Sequence, residues 1–250
     1  SCYSIFVSQI LFHVFCSFYS SEQEFRMEIE KYLNRNRKLS TLLTDFIDNE
    51  YDIEEHYNNL VNYIQNQKIF KDKFELKVFL HLLLRFAKDH HRHTDFYDKI
   101  GQIILYLKSD IQLYFTKYSI FNIFRSNKRI LLLLLMEDIV TFDQAITETL
   151  CDYSYKSAKY LHYFYPEVQE FLNEAERSEI QKEIDQLDAD DSKSFEEKRI
   201  IGENDHFICQ LIREDDIDQF ISYVNKNFIL LSSKIKPSIY ETNSLLLKNT

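Results

Sequence analysis

Three groups of side chains in this sequence have types that could do chemistry. The first is histidine: His90, His91 and His93 stand together, with His81 upstream and Asp89 and Asp95 on either side. Imidazole is a good zinc ligand, and carboxylate oxygens could complete a ligand set. Metalloprotease helices need two histidines four residues apart with a glutamate between them, and this spacing does not occur here. The ordinary reading is a polar turn between helices after Lys88, where histidine suits the negative end of a helix. The second group, Asp188, Asp190 and Ser192, imitates the opening of a calcium loop. Lys193 then occupies the position that needs glycine, and Arg199 the position that needs a bidentate glutamate. The third is cysteine. Cys151 and Cys209 lie in apolar helical surroundings, where a lone thiol is ordinarily a small core residue, and nothing in the sequence places a histidine beside Cys151.

No catalytic, metal or cofactor set is complete. The expectation is a non-enzyme without a cofactor, in which His90, His91 and His93 are the weak metal candidates. The alternative is a helical hydrolase that uses a His/Asp metal site or a cysteine nucleophile.

The elements that would position these residues are helices. Two glycines and two prolines in 250 residues fall far below the usual share of about 5–7% each. Multi-stranded folds and phosphate-cradling loops need glycine at tight turns, and Gly101 and Gly202 alone write neither a GxGxxG nor a GxxxxGK[ST] loop. Rossmann enzymes, P-loop NTPases and kinases are thereby excluded. A hydrophobic share of 45% speaks for a buried core. The net charge of −10 speaks against a nucleic-acid groove, and basic clusters such as Arg125, Lys128 and Arg129 read as solvated helix faces. The four cysteines form no CxxC and no Asn-x-Ser/Thr sequon occurs, so an intracellular, cytoplasmic setting is expected.

Residues 5–19 are apolar but interrupted, and short for a membrane span of about 20 residues. They read as a buried helix or irregular leader, with a targeting segment as the alternative, and membrane partnership is not expected. Ser21 and Glu24 write a capping box. Apolar stripes at helical spacing follow: Phe25, Ile29, Tyr32, Leu33; then Leu39, Leu42, Leu43, Phe46, Ile47; then Tyr57, Leu60, Val61, Ile64. Leu76, Phe79, Leu80, Leu83 and Phe86 form a fourth, and the longest runs from Ile100 to Tyr118. Ile130–Met136 is apolar all round, as a helix inside a bundle is, and a turn is expected near Asp138. Pro166 marks a helix start after a tyrosine-rich stretch. Residues 174–199 are heavily charged and read as a solvated helix with a break near Asp190–Ser192, or as a linker between packed units.

The stretch from Ile201 to Asn243 reads as two short helices folded back on each other. Gly202 permits a backbone turn, and Asn204 or Asp205 would cap the helix carrying Ile208, Leu211 and Ile212. Asp216 would cap a second helix carrying Ile217, Phe220, Ile221 and Val224. Arg213 with Asp216, and Glu241 with Asn243 after Pro237, read as turn chemistry between stacked helices.

Several ordered stretches are HHRHTDFYDKI at 90–100, YSIFNIFRSNKRILLLL at 118–134, YFYPEV at 163–168, RIIGENDHFICQLIREDDIDQFISYVN at 199–225 and IKPSIYETNSLLLK at 235–248. Together they closely resemble the N-terminal region of a family of ankyrin-repeat proteins abundant in certain parasitic protists, which often carries a domain of unknown function. The resemblance covers roughly residues 70–250. It implies a binding scaffold whose helical leader covers the first repeat of an array. In that family the stretch after ETN leads into the first repeat, and this chain ends before that point.

The expected fold is all-α, a bundle or solenoid of amphipathic helix pairs leading into an ankyrin-like repeat. Its expected parts are an apolar leader (1–21), a helical N-terminal domain (22–175), a charged helix or linker (176–200) and an ankyrin-like helix pair (201–250). The expected partners are other proteins, with neither nucleic acid nor membrane.

Overall fold

The computed structural model describes residues 22–67, 70, 72–89, 95–152, 160–188, 194–230, 235 and 238–240. The chain is all-α, and the described residues contain no strand. It divides into two compact units, residues 1–69 and 70–250. The charged stretch 174–199 lies inside the second of these.

The described part of the first unit is a helical hairpin. The first two apolar stripes lie on one continuous helix, α1 (Glu22–Asp48), where the sequence reading had separated them. Nothing between Tyr32 and Leu39 breaks the backbone, because residues 33–38 include neither glycine nor proline. Asp52, with φ of 52°, turns the chain into α2 (Ile53–Gln67); a short polar side chain tolerates this left-handed backbone better than most. The helices run antiparallel, since Phe46 meets Tyr57 at 5.4 Å while Tyr63 Oη donates to Arg35 O at 3.2 Å. Leu39, Leu43, Phe46, Ile47, Leu60 and Ile64 fill the seam. Full burial of each contributes about 1.5–3 kcal/mol.

The second unit opens with α3 (Lys73–Asp89), α4 (Phe96–Tyr106), α5 (Lys108–Tyr114), α6 (Lys117–Phe124), α7 (Lys128–Met136) and α8 (Gln144–Asp152). All five residues of the fourth stripe are buried on α3, which packs against α4, α5 and α6. The longest stripe is cut twice, at Leu107 and at Phe115–Thr116, so that it is shared by three short helices. Local capping explains the second cut: Thr116 accepts from Ser119 N and starts α6 afresh.

The apolar α7 lies in the interior, with Ile130, Leu131, Leu132 and Leu134 buried. The turn expected after it is present, with Asp138 at φ 53°. Its acidic C-terminal end would be unfavourable alone, but Lys108 donates to Glu137 O at 2.5 Å and Gln112 to Asp138 O at 3.0 Å. The cation the helix end lacks locally comes from α5.

The chain then forms α9 (Tyr165–Val168), opened by Pro166 as expected, and a 3-10 turn at Gln169–Phe171. Next come α10 (Glu174–Asp188), α11 (Phe195–Ile201), α12 (Phe207–Arg213) and α13 (Ile217–Lys226). Asn173 and Glu176 cap α10 reciprocally, and Ser194 and Glu197 form a full capping box on α11. Among the described residues no helix is long and apolar enough to cross a membrane. The leader 1–21 and the expected break at Asp190–Ser192 lie outside the described residues.

Candidate functional site

The region Phe195 to Leu230 carries Gly202, Asn204, Asp205, Arg213 and Asp216. Helix α11 ends at Gly202, whose φ of 68° is left-handed and whose N–H returns to Lys198 O at 2.9 Å. An L side chain strains this backbone. Gly202→Ala is expected to cost about 1–2 kcal/mol, and Gly202→Asn less, measured as a shift in the urea unfolding midpoint.

The next residues depart from the expected caps. Asn204 does not cap α12; its Oδ1 accepts from His206 N at 2.9 Å, closing a turn one step earlier. His206 holds the cap position without a side-chain bond, and Asp205 is exposed. Arg213 does not pair with Asp216. It reaches back along α12 to Glu203 at 2.7 Å and to Asn204 O at 2.9 Å. The guanidinium therefore ties the end of α12 to the loop that precedes it. Asp216 does cap α13, accepting from Gln219 N at 3.0 Å and from Gln219 Nε2 at 2.7 Å.

Helices α12 and α13 are an antiparallel hairpin. Phe207, at the start of one, meets Tyr223, near the end of the other, edge to face at 5.0 Å. The turn between them closes through Asp216 N to Leu211 O, with Asp215 at φ 53°. Only part of each expected stripe points inward. Ile208, Leu211 and Val224 are buried, while Ile212, Ile217 and Ile221 are more than half exposed, as are Phe228 and Leu230 beyond α13. Two helices bury one side of each other, and a stripe wider than that seam leaves the remainder in water.

A second constellation escaped the sequence reading. Arg199, the last residue of the charged run, is 1% exposed. Its guanidinium makes two-pronged contacts with Glu167 at 2.7 Å and with Glu196 at 2.9 Å. It also stacks over the Tyr163 and Phe195 rings, and Tyr163 Oη donates to Arg199 O at 2.9 Å. Burial pushes the Tyr163 hydroxyl pKa well up, and it raises Glu167 despite the opposing pull of Arg199. Lys128 was expected on a solvated face and is instead buried: it donates to Ile239 O at 2.9 Å and sits over the Tyr160 and Tyr163 rings. Tyr240 is fully buried and packs on Phe195 at 5.8 Å. Planar guanidinium forks and tyrosine faces stabilise buried cations. These residues pin the segment at 238–240 and helices α9 and α11 to the core, which is a structural task.

Among the described residues no three His, Cys, Asp or Glu side chains come together as a metal site. His90, His91 and His93 lie outside the described residues, as do Pro237, Glu241 and Asn243. Cys151 and Cys209 are half-buried.

Comparison with protein-family models, with characterised proteins and with solved structures returns no match.

Proposed function

We propose that this chain is a non-enzymatic protein–protein interaction scaffold, the helical leading part of an ankyrin-type repeat protein, with the α12–α13 hairpin as its docking element. The observation that carries the reading is the set of aliphatic side chains the hairpin leaves in water, Ile212, Ile217 and Ile221 above all. Exposed apolar surface of this kind marks contact sites more often than it serves a lone chain. Helix pairs in repeat arrays use such a face to stack on a neighbouring pair. The resemblance to protist ankyrin-repeat proteins supports the same reading.

The test is a double substitution, Ile217→Asp with Ile221→Asp. Both side chains are more than half exposed, so the folded hairpin is expected to lose no more than about 0.5 kcal/mol. Quantitative co-purification of tagged wild-type and variant chains from cells then reads the function. The expected result is a discrete set of proteins held by the wild type and lost from the variant. Equal recovery by both chains overturns the assignment of the docking element.

A further inference from the structure

A cleft of about 330 Å³ opens between α3 and α6 in the second unit. One wall carries two lysines and a histidine. Lys73, Lys77 and His81 follow each other at four-residue spacing on α3, so their side chains share one face. The other wall offers the Ser119 hydroxyl and the Asn122 amide from α6. The floor is apolar, made by Phe115 and Ile123, both buried.

Among the described residues no carboxylate lines this cleft, although the whole chain carries a net charge of −10. Neither Lys73 nor Lys77 makes an ion pair with any described residue. The Lys73 ammonium stands 5.5 Å from the Phe115 ring centroid, over the floor. Burial, and after it the charge of Lys77, lower the pKa of His81. The polar wall is held in place: Ser119 Oγ shares a 2.9 Å hydrogen bond with Thr116 Oγ1, and Asn122 Nδ2 donates to Tyr118 O at 3.0 Å.

We infer that the cleft between Lys73, Lys77 and His81 on one side and Ser119 on the other binds a small phosphate monoester. Two ammonium groups about 5–6 Å apart at their Cβ atoms match a single dianion better than a monoanion. A tetrahedral phosphate presents oxygens to both walls at once, whereas a carboxylate presents two in one plane. The apolar floor takes the carbon side of the ester, and the volume lies at the small end of ligand pockets, about 300–1,000 Å³.

Calorimetric titration at fixed chloride concentration tests the site, with inorganic phosphate and phenyl phosphate as separate probes. Both probes are expected to bind the wild-type chain, phenyl phosphate more tightly because Phe115 and Ile123 receive its ring. Lys73→Gln with Lys77→Gln is expected to weaken phenyl phosphate at least about tenfold, in line with the loss of two charge-assisted contacts, with an unchanged far-UV circular dichroism spectrum. Ser119→Ala is expected to weaken it by a smaller factor. Equal affinity in the wild type and the double variant overturns the site, as does an absence of heat with both probes at millimolar concentration. Binding of inorganic phosphate with none of phenyl phosphate overturns the monoester assignment.

Discussion

Arg199→Met is expected to lower the stability of the second unit by about 3–5 kcal/mol at neutral pH. The guanidinium is 1% exposed and satisfies two carboxylates, one of which, on Glu167, has a side chain only 24% exposed. Methionine fills much of the space but leaves Glu167 charged, half-desolvated and without its partner, which is the costly half of breaking a buried pair. Glu196 contributes less, because its side chain is 57% exposed and water takes over when the arginine leaves.

A pH series separates the charge effect from packing. Burial already raises the pKa of Glu167, with Arg199 pulling it back in part. The folded state therefore holds that proton more tightly than the unfolded chain does. Stability from this group is fully present below the unfolded value, about 4.3, and is lost as pH rises through the folded value. Removing Arg199 raises the folded value further. The gap between variant and wild type is therefore expected to be widest near pH 7 and to narrow as pH falls toward 4. Urea unfolding of both chains across that range measures it. Adding Glu167→Gln to the variant is expected to restore part of the loss at pH 7. A gap that stays constant from pH 4 to 7 would show that Arg199 acts through packing alone.

Phe164→Ala is expected to cost a similar amount, about 3–5 kcal/mol. Phe164 is fully buried. It lies edge to face against Phe142 at 5.3 Å and Tyr163 at 4.8 Å, and Phe142 in turn meets Phe121 at 5.9 Å. The ring thus joins α6 and the segment before α8 to the chain leading into α9. Alanine leaves a cavity that these neighbours, held by their own contacts, fill only in part. Phe164→Leu keeps most of the volume and loses the edge-to-face geometry, so an intermediate loss is expected. Phe228→Ser is the control: at 91% exposure its loss should fall within about 0.5 kcal/mol. A thermal or urea unfolding midpoint for each variant gives the comparison. Equal losses for Phe164→Ala and Phe228→Ser would contradict the aromatic chain as a load path.

The candidate surface was legible in part. Asp216 as a cap and Gly202 as a turn follow from residue type alone, since a short carboxylate caps a helix start and only glycine takes a left-handed turn freely. The cationic wall of the α3 cleft was half visible: His81 attracted notice, but its grouping with Lys73 and Lys77 against Ser119 needed the packing of α3 on α6. The contact of Arg213 with Glu203 was not legible, because the helix carries the guanidinium back to a residue ten positions earlier.

The sequence by itself determined that the chain is helical and where several helices begin. These follow from glycine and proline scarcity, from apolar periodicity and from cap residues, all of which act within a few residues. Only the tertiary structure decided which charges go inside and which aliphatic side chains stay out. Arg199 is buried because Glu167 and Tyr163 meet it from a distant part of the chain, and Lys128 because Ile239 supplies an acceptor. Ile217 and Ile221 stay exposed because a two-helix hairpin has only one inner seam. Burial of a cation depends on partners brought by the fold, and no local pattern encodes them.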